Sequence, residues 1–254
     1  MIENLHDSRL MPTAMPPLER ATERRQARPG STENILLAAV SRKDHRRLLD
    51  LLEPVTLTFG DVLYEPGDEI RHVYFPGVSL VSLLTLVDRH LALEVGVVGR
   101  EGMVGVPLAQ GVGVSSTRAL VQGAGVAMRM KSTHFLKELR QSLPLQRALL
   151  LYTHDLMAQV ARTAACNRFH VVGERLARWL LMTRDRVQSN DFPMTQEFLS
   201  HMLGVRRVGV TKAAGELQTR KLIEYSRGTI RIIDEHGLEG AACSCYRAIK
   251  NISL

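Results

Sequence analysis

Between Val55 and Met130 the chain is written in short alternating apolar runs, rich in valine and broken by glycine. No other stretch restricts the fold so much. Alternation puts successive side chains on opposite faces of an extended strand. The spacing predicts strands at Val55–Phe59, Val62–Tyr64, His72–Phe75, Leu80–Leu86, Leu91–Val97, Ala119–Gln122 and Val126–Met130. Turn chemistry separates them at Phe59-Gly60-Asp61, Glu65-Pro66-Gly67-Asp68, Pro76-Gly77, Gly99 and Gly123–Gly125. Many short strands at regular spacing read as an antiparallel β-barrel or jelly roll of roughly eight strands.

After Gly125 glycine becomes sparse, and from Lys131 to Asn167 the pattern turns helical, with a restart near Leu145 after Leu143-Pro144. Leu145, Leu149, Tyr152, Leu156, Gln159, Thr163 and Cys166 follow a 4-3-4-3 spacing. That seam reads as a dimer-forming coiled coil, with packing on the chain's own barrel as the alternative. A second amphipathic helix runs from Val171 to Val187, and Asn190-Asp191-Phe192-Pro193 breaks it. Upstream, Leu36, Val40, Leu48, Leu49 and Leu52 are spaced for one or two short helices. Before them, four prolines stand among alternating charges in a segment with too little apolar content to pack. The expected organisation is α+β: a flexible tail (1–34), a barrel (35–140), a long helix (141–170), a small helical domain (171–236) and a C-terminal tail (237–254).

The small domain contains MTQEFLSHMLGVRRVGVTKAAGELQTRKLI. Thr195 is a good helix N-cap, and Leu199 and Met202 face inward on the first helix. Ser200 keeps the crossing close, and Gly204 supplies the turn, since a left-handed conformation costs glycine little. Val205, Val210, Ala213 and Leu217 give the apolar stripe of a second helix. These spacings satisfy two helices crossing steeply through a short turn. Arg206, Arg207, Thr211 and Lys212 then point outward, where arginines at a helix N-terminus can reach guanine edges or phosphates. Ile223 to Ile233 reads as a β-hairpin with Arg227-Gly228 near its turn, a wing that offers Arg227 and Arg231 to phosphates.

Charge supports a polyanionic partner. The formal net charge of +7 is concentrated in residues 168–254, which carry fourteen basic and nine acidic side chains. Three cysteines, Cys166, Cys243 and Cys245, are too few for a disulfide framework. A C-x-C without a second pair is not read as a zinc site, so no metal is assigned. Cys243 and Cys245 are expected to cap the wing as small apolar side chains, with a redox-active pair or a weak metal clip as the alternatives. The N-terminus shows no apolar stretch behind its charges, and the most hydrophobic region is interrupted by Arg147, His154, Asp155 and Arg162. The expected setting is a reduced cytoplasm with no membrane partner. No P-loop, H-E-x-x-H or G-x-S-x-G occurs, and carboxylates such as Asp88, Glu94 and Glu101 have no spacing that forces a catalytic pair. An enzyme is not expected. The alternative to a DNA-binding protein is a ligand-binding or protein-interaction module without DNA readout.

The order of barrel, long helix and winged helix-turn-helix, with TQEFLSHMLGVRRVGVTKAAGEL and the barrel's GREGMVGVPL, resembles the Crp/Fnr family of bacterial transcription regulators. The resemblance covers roughly residues 45–240. It implies a cytoplasmic homodimer that binds a pseudo-palindromic operator, contacts RNA polymerase if it activates, and answers to an effector in the barrel. Aligned on Gly204, the base-reading positions fall at Arg207, Val208 and Lys212. Arg206, Thr195, Gln196, Thr211, Arg227 and Arg231 would position the DNA backbone. Val208 stands where better-known members carry a glutamate that accepts from cytosine; a valine packs on a thymine methyl instead. Gly209 inside the second helix is a further departure.

The sensor departs as well. Cyclic-nucleotide-binding relatives use a glutamate in a G-E-x-G loop, followed later by an arginine for the cyclic phosphate. Here the loop reads Gly102-Met103-Val104-Gly105, and Ser116 or Thr117 takes the arginine's place, with Arg118 one or two positions late. Gly102, Met103, Gly105, Ser116, Thr117 and Arg118 are the candidate effector residues, but cyclic AMP is not the expected ligand, because a buried phosphate without a paired arginine is expensive. The iron–sulfur branch of the family uses N-terminal cysteines, and none precedes residue 166. Haem finds no specific support in His72, His90 and His134. No cofactor is assigned.

Overall fold

The structure is a computed structural model that describes residues 33–88 and 91–252. The expected N-terminal tail lies outside the described residues except for Glu33 and Asn34, and His90 lies outside them. Asn34 belongs to the fold, which corrects the boundary of the tail. It is buried, its side chain caps α1 (Ile35–Ala38) by accepting from the Leu37 N–H, and its amide donates to the carbonyls of Pro76 and Gly102 at 2.9 and 2.8 Å. Ser41 caps α2 (Arg42–Leu49) in the same way.

Among the described residues, seven antiparallel strands follow where the alternation places them, one short of the rough expectation. They are β1 (Glu53–Leu57), β2 (Val62–Tyr64), β3 (His72–Pro76), β4 (Leu80–Asp88), β5 (Leu91–Val98), β6 (Arg118–Gly123) and β7 (Gly125–Lys131). They form two sheets, ordered β1-β7-β3 and β2-β6-β4-β5. Val73, Phe75, Val81, Val98, Ala119 and Val121 fill the space between them. The four-stranded sheet is buried on both faces. Val81 and Val98 point into the barrel, while their neighbours Leu80, Leu84 and Val97 belong to a second core shared with the C-terminal helices. Double burial explains why Leu80-Val81-Ser82-Leu83-Leu84 carries so little polar alternation.

After α3 (Ser132–Gln141), α4 (Leu143–Phe169) begins at an N-cap, Ser142, that accepts from the Leu145 N–H. All seven residues of the 4-3-4-3 seam are buried within this one chain, so the seam is not a dimer interface. The reason lies in the sheet. β5 is an edge strand, and its backbone groups at Val97 need partners. Gln159 supplies them: its Oε1 accepts from the Val97 N–H at 2.6 Å and its Nε2 donates to the Val97 carbonyl. One turn-pair earlier, the Tyr152 hydroxyl donates to the Met103 carbonyl. The opposite face of α4 exposes Leu143, Leu150, Met157 and Phe169.

The remainder packs α5 (Val172–Val187) against the outer face of the four-stranded sheet, followed by β8 (Asp191–Pro193), α6 (Gln196–Leu203), α7 (Arg207–Thr219), β9 (Ile223–Ser226) and β10 (Thr229–Ile232). The expected C-terminal tail is instead two helices, α8 (Glu235–Ala241) and α9 (Cys245–Lys250). Tyr246 and Ile249 enter the second core, and the Tyr246 hydroxyl donates to Asp185 at 2.8 Å. Cys243 and Cys245 do not cap the wing. They lie buried beside Cys166 at the end of α4, where His170 joins them, so the C-x-C does have a second pair of donors. Among the described residues no helix is long and apolar enough to cross a membrane.

Candidate nucleic-acid interface

The helix-turn-helix forms as its spacing requires. Thr195 caps α6 by accepting from the Phe198 N–H at 3.1 Å. Gly204 takes φ 59°, and a Cβ there would stand 2.6 Å from a Leu93 methyl on β5. Both demands, the turn and the close approach to the barrel, call for glycine. Val210, Ala213, Ala214 and Leu217 bury the inner face of α7. Arg206, Arg207, Val208, Thr211 and Lys212 are exposed along its outer face, Val208 at 73%. A side chain at Gly209 would meet only Val205, at 4.0 Å, so packing does not demand the glycine.

Gln196 links the two helices: its Oε1 accepts from the Thr211 hydroxyl at 2.8 Å, and Arg207 Nε approaches the same oxygen at 3.5 Å. The three-stranded wing sheet has the order β8-β10-β9. Its hairpin turns through Arg227 and Gly228, at φ 48° and 78°, which is the primed geometry that suits the twist of a two-residue hairpin. The Gly228 carbonyl accepts from the Met194 N–H at 2.7 Å, which brings the wing tip beside Thr195. Sequence reasoning missed Tyr225. It sits between Gln196 and Arg207, and partial burial raises its phenol above the usual range. Arg231 is bound across the sheet to Asp191 at 2.6 Å, so it braces the wing where a free cation was expected.

The candidate effector residues take up separate positions in the barrel. Met103 is buried in the barrel core, and a methyl at Gly102 would overlap the Tyr152 ring. Gly105, at φ 102°, opens a 3-10 turn. Ser116 is exposed, Thr117 is engaged through its backbone with the Ser115 hydroxyl, and Arg118 is paired with Glu65 at 2.8 Å. A cavity of about 360 Å³ beside the barrel is lined by Leu63, Tyr64, Asp68, Glu69, Arg71, His72 and Tyr74, none of them in that set.

Residues 174–241 match the Crp-like helix-turn-helix domain. No curated protein matches the chain in sequence. Among solved structures, FixK2 from Bradyrhizobium japonicum is similar with a TM-score of 0.64 at 14% identity, over 76% of this chain and 98% of that one. The c-di-GMP-responsive global regulator CLP of Xanthomonas campestris gives 0.62 at 16%, over 76% and 99%. A CRP-family transcriptional regulator from Thermus thermophilus gives 0.59 at 18%, over 75% and 99%. At such identities the likeness is one of fold.

Proposed function

From a Crp-like helix-turn-helix domain carried on the Crp/Fnr fold, we propose that this chain is a sequence-specific DNA-binding transcription regulator acting as a homodimer on a pseudo-palindromic operator. The observation that carries the reading is the exposed outer face of α7, with Arg207, Val208 and Lys212 beside the wing tip and the α6 N-terminus. Arg207 and Lys212 read base edges, and Val208 packs on a thymine methyl. Arg206, Thr195, Gln196, Thr211 and Arg227 hold the DNA backbone, which sets register without carrying sequence information. Arg231 acts through Asp191, on the shape of the wing.

In this reading residues 35–140 sense, 141–170 dimerise, and 171–236 bind DNA together with the two C-terminal helices. The dimer forms through the face of α4 that bears Leu143, Leu150 and Met157, since the opposite face is used by the barrel. The protein works in the cytoplasm and meets RNA polymerase where it activates. Cyclic AMP is not its effector: the Arg118–Glu65 pair and the buried Met103 support a barrel without a cyclic-phosphate clamp.

The test is selection and sequencing of genomic fragments bound by the purified protein, with and without cyclic AMP. A palindromic motif in both samples is expected, and Arg207→Ala with Lys212→Ala abolishes it while leaving the circular dichroism unchanged. Counterion release makes affinity fall steeply with salt. Unaltered DNA binding by the double variant would sink the assignment and favour the interaction module.

A further inference from the structure

We propose that Cys166, His170, Cys243 and Cys245 form a closed Cys3His zinc site that clips the end of α4 to the start of α9. Cys166 and His170 are one helical turn apart at the C-terminus of α4, and Cys243 and Cys245 flank the entry to α9. Cys166 Sγ lies 3.4 Å from Cys243 Sγ, Cys245 Sγ lies 3.7 Å from His170 Nδ1, and all four donor atoms fall within 4.8 Å of one another. A disulfide needs about 2.05 Å between sulfurs. A tetrahedron of zinc–sulfur bonds of about 2.3 Å separates them by roughly 3.8 Å. The observed separations, 3.4 and 3.7 Å with none beyond 4.8 Å, bracket this spacing. Thiolate and imidazole are the set that selects zinc, and four protein donors leave no open position for substrate, as in a structural site.

A second observation points the same way. Arg175 and Arg178, on α5 next to this cluster, are 6% and 4% exposed, and each leaves its Nε without a partner among the described residues. Among the described residues their other nitrogens reach neutral acceptors, Arg175 the Leu203 carbonyl and Arg178 the Met182 sulfur, and a buried guanidinium that meets only neutral acceptors is costly. Arg178 acts electrostatically on Cys166 and Cys243, and the same two sulfurs act electrostatically on Arg175. Three thiolates around a divalent ion carry a net charge of about −1, which offsets part of the positive charge of the two arginines. A cluster of neutral thiols does not.

The experiment uses the full chain, expressed in zinc-supplemented medium and purified under reducing conditions without chelator. Elemental analysis should give about one zinc per chain. Cobalt substitution should add thiolate-to-cobalt charge-transfer absorption and the strong visible bands of a tetrahedral site. His170 is only half-buried at a helix end, so His170→Ala is expected to fold and to lose the metal. His170→Cys should keep zinc and shift the cobalt bands, an outcome that a merely structural histidine would not produce. The proposal is overturned if the folded wild type holds no metal after dialysis against zinc, if another metal occupies the site in stoichiometric amount, or if Cys166 and Cys243 are joined as a disulfide in the protein as isolated.

Discussion

Glu94 is a carboxyl that the fold keeps neutral up to ordinary pH. It lies between barrel and helices, accepting from the Trp179 indole at 2.9 Å and bonded to the Ser82 hydroxyl at 2.7 Å, which also contacts Gln122. Gln122 passes the chain on to Thr183 of α5. Burial pushes the Glu94 pKa from 4.5 up to about 7, against the opposing effects of Ser82, Arg178 and Trp179. A raised folded-state pKa means that the native protein holds the proton more tightly than the unfolded chain. Its stabilisation is complete below about 4.5 and is lost as pH rises towards 7, by roughly 3 kcal/mol in all. Glu94→Gln keeps the bond from Trp179 and removes the titration. Denaturant unfolding of this variant should show a flatter pH dependence between 5 and 8 and a gain over wild type at the alkaline end. Equal slopes for the two proteins would refute the neutral carboxyl. Gly102 is a residue with a single tolerated identity. Gly102→Ala drives a methyl into the buried Tyr152 ring and should destabilise the fold by about 1–3 kcal/mol, read from the unfolding midpoint.

At the level of elements, α4 separates what periodicity can decide from what it cannot. The 4-3-4-3 spacing named every buried position of the helix. It did not name the partner, because a stripe of that width serves a strand edge as well as another helix, and Gln159 is the residue that distinguishes them. The strands and the helix-turn-helix were legible because each rests on local chemistry: alternation, turn glycines, the Thr195 cap and Gly204. The C-terminal helices were not, since α8 offers little apolar surface and α9 owes its place to Tyr246 and Ile249 in a distant core. The cysteine cluster was hidden by a sequence separation of 77 between Cys166 and Cys243. Within the interface, outward positions were readable, but the Arg231–Asp191 pair depends on strand register and Tyr225 on where the wing folds back. The exposed face of α4 makes its own prediction. Leu150→Glu with Met157→Glu removes little intrachain packing, so the variant should remain folded and sediment as a monomer. A dimer of unchanged strength would move the interface elsewhere.

For the whole molecule, the four-stranded sheet is the inner wall of one core and the outer wall of the other. Leu80, Leu84 and Val97 lie against α5 and its neighbours, and Arg186 on α5 reaches Glu101 of the barrel at 2.8 Å. Phe198 of α6 lies against Phe59 with the rings tilted and their centroids 5.1 Å apart. Barrel and helix-turn-helix should therefore melt in a single calorimetric transition, and two resolved transitions would show that the second core is dispensable to one half. A wall with two sides also sets the conditions for dissection. Neither half can be excised without stripping one face of the same sheet. A fragment beginning at α5 would carry a bare apolar underside around Trp179, and a free barrel would carry the matching bare patch, so each severed half becomes a sticky, aggregation-prone surface that only its own other half is shaped to cover.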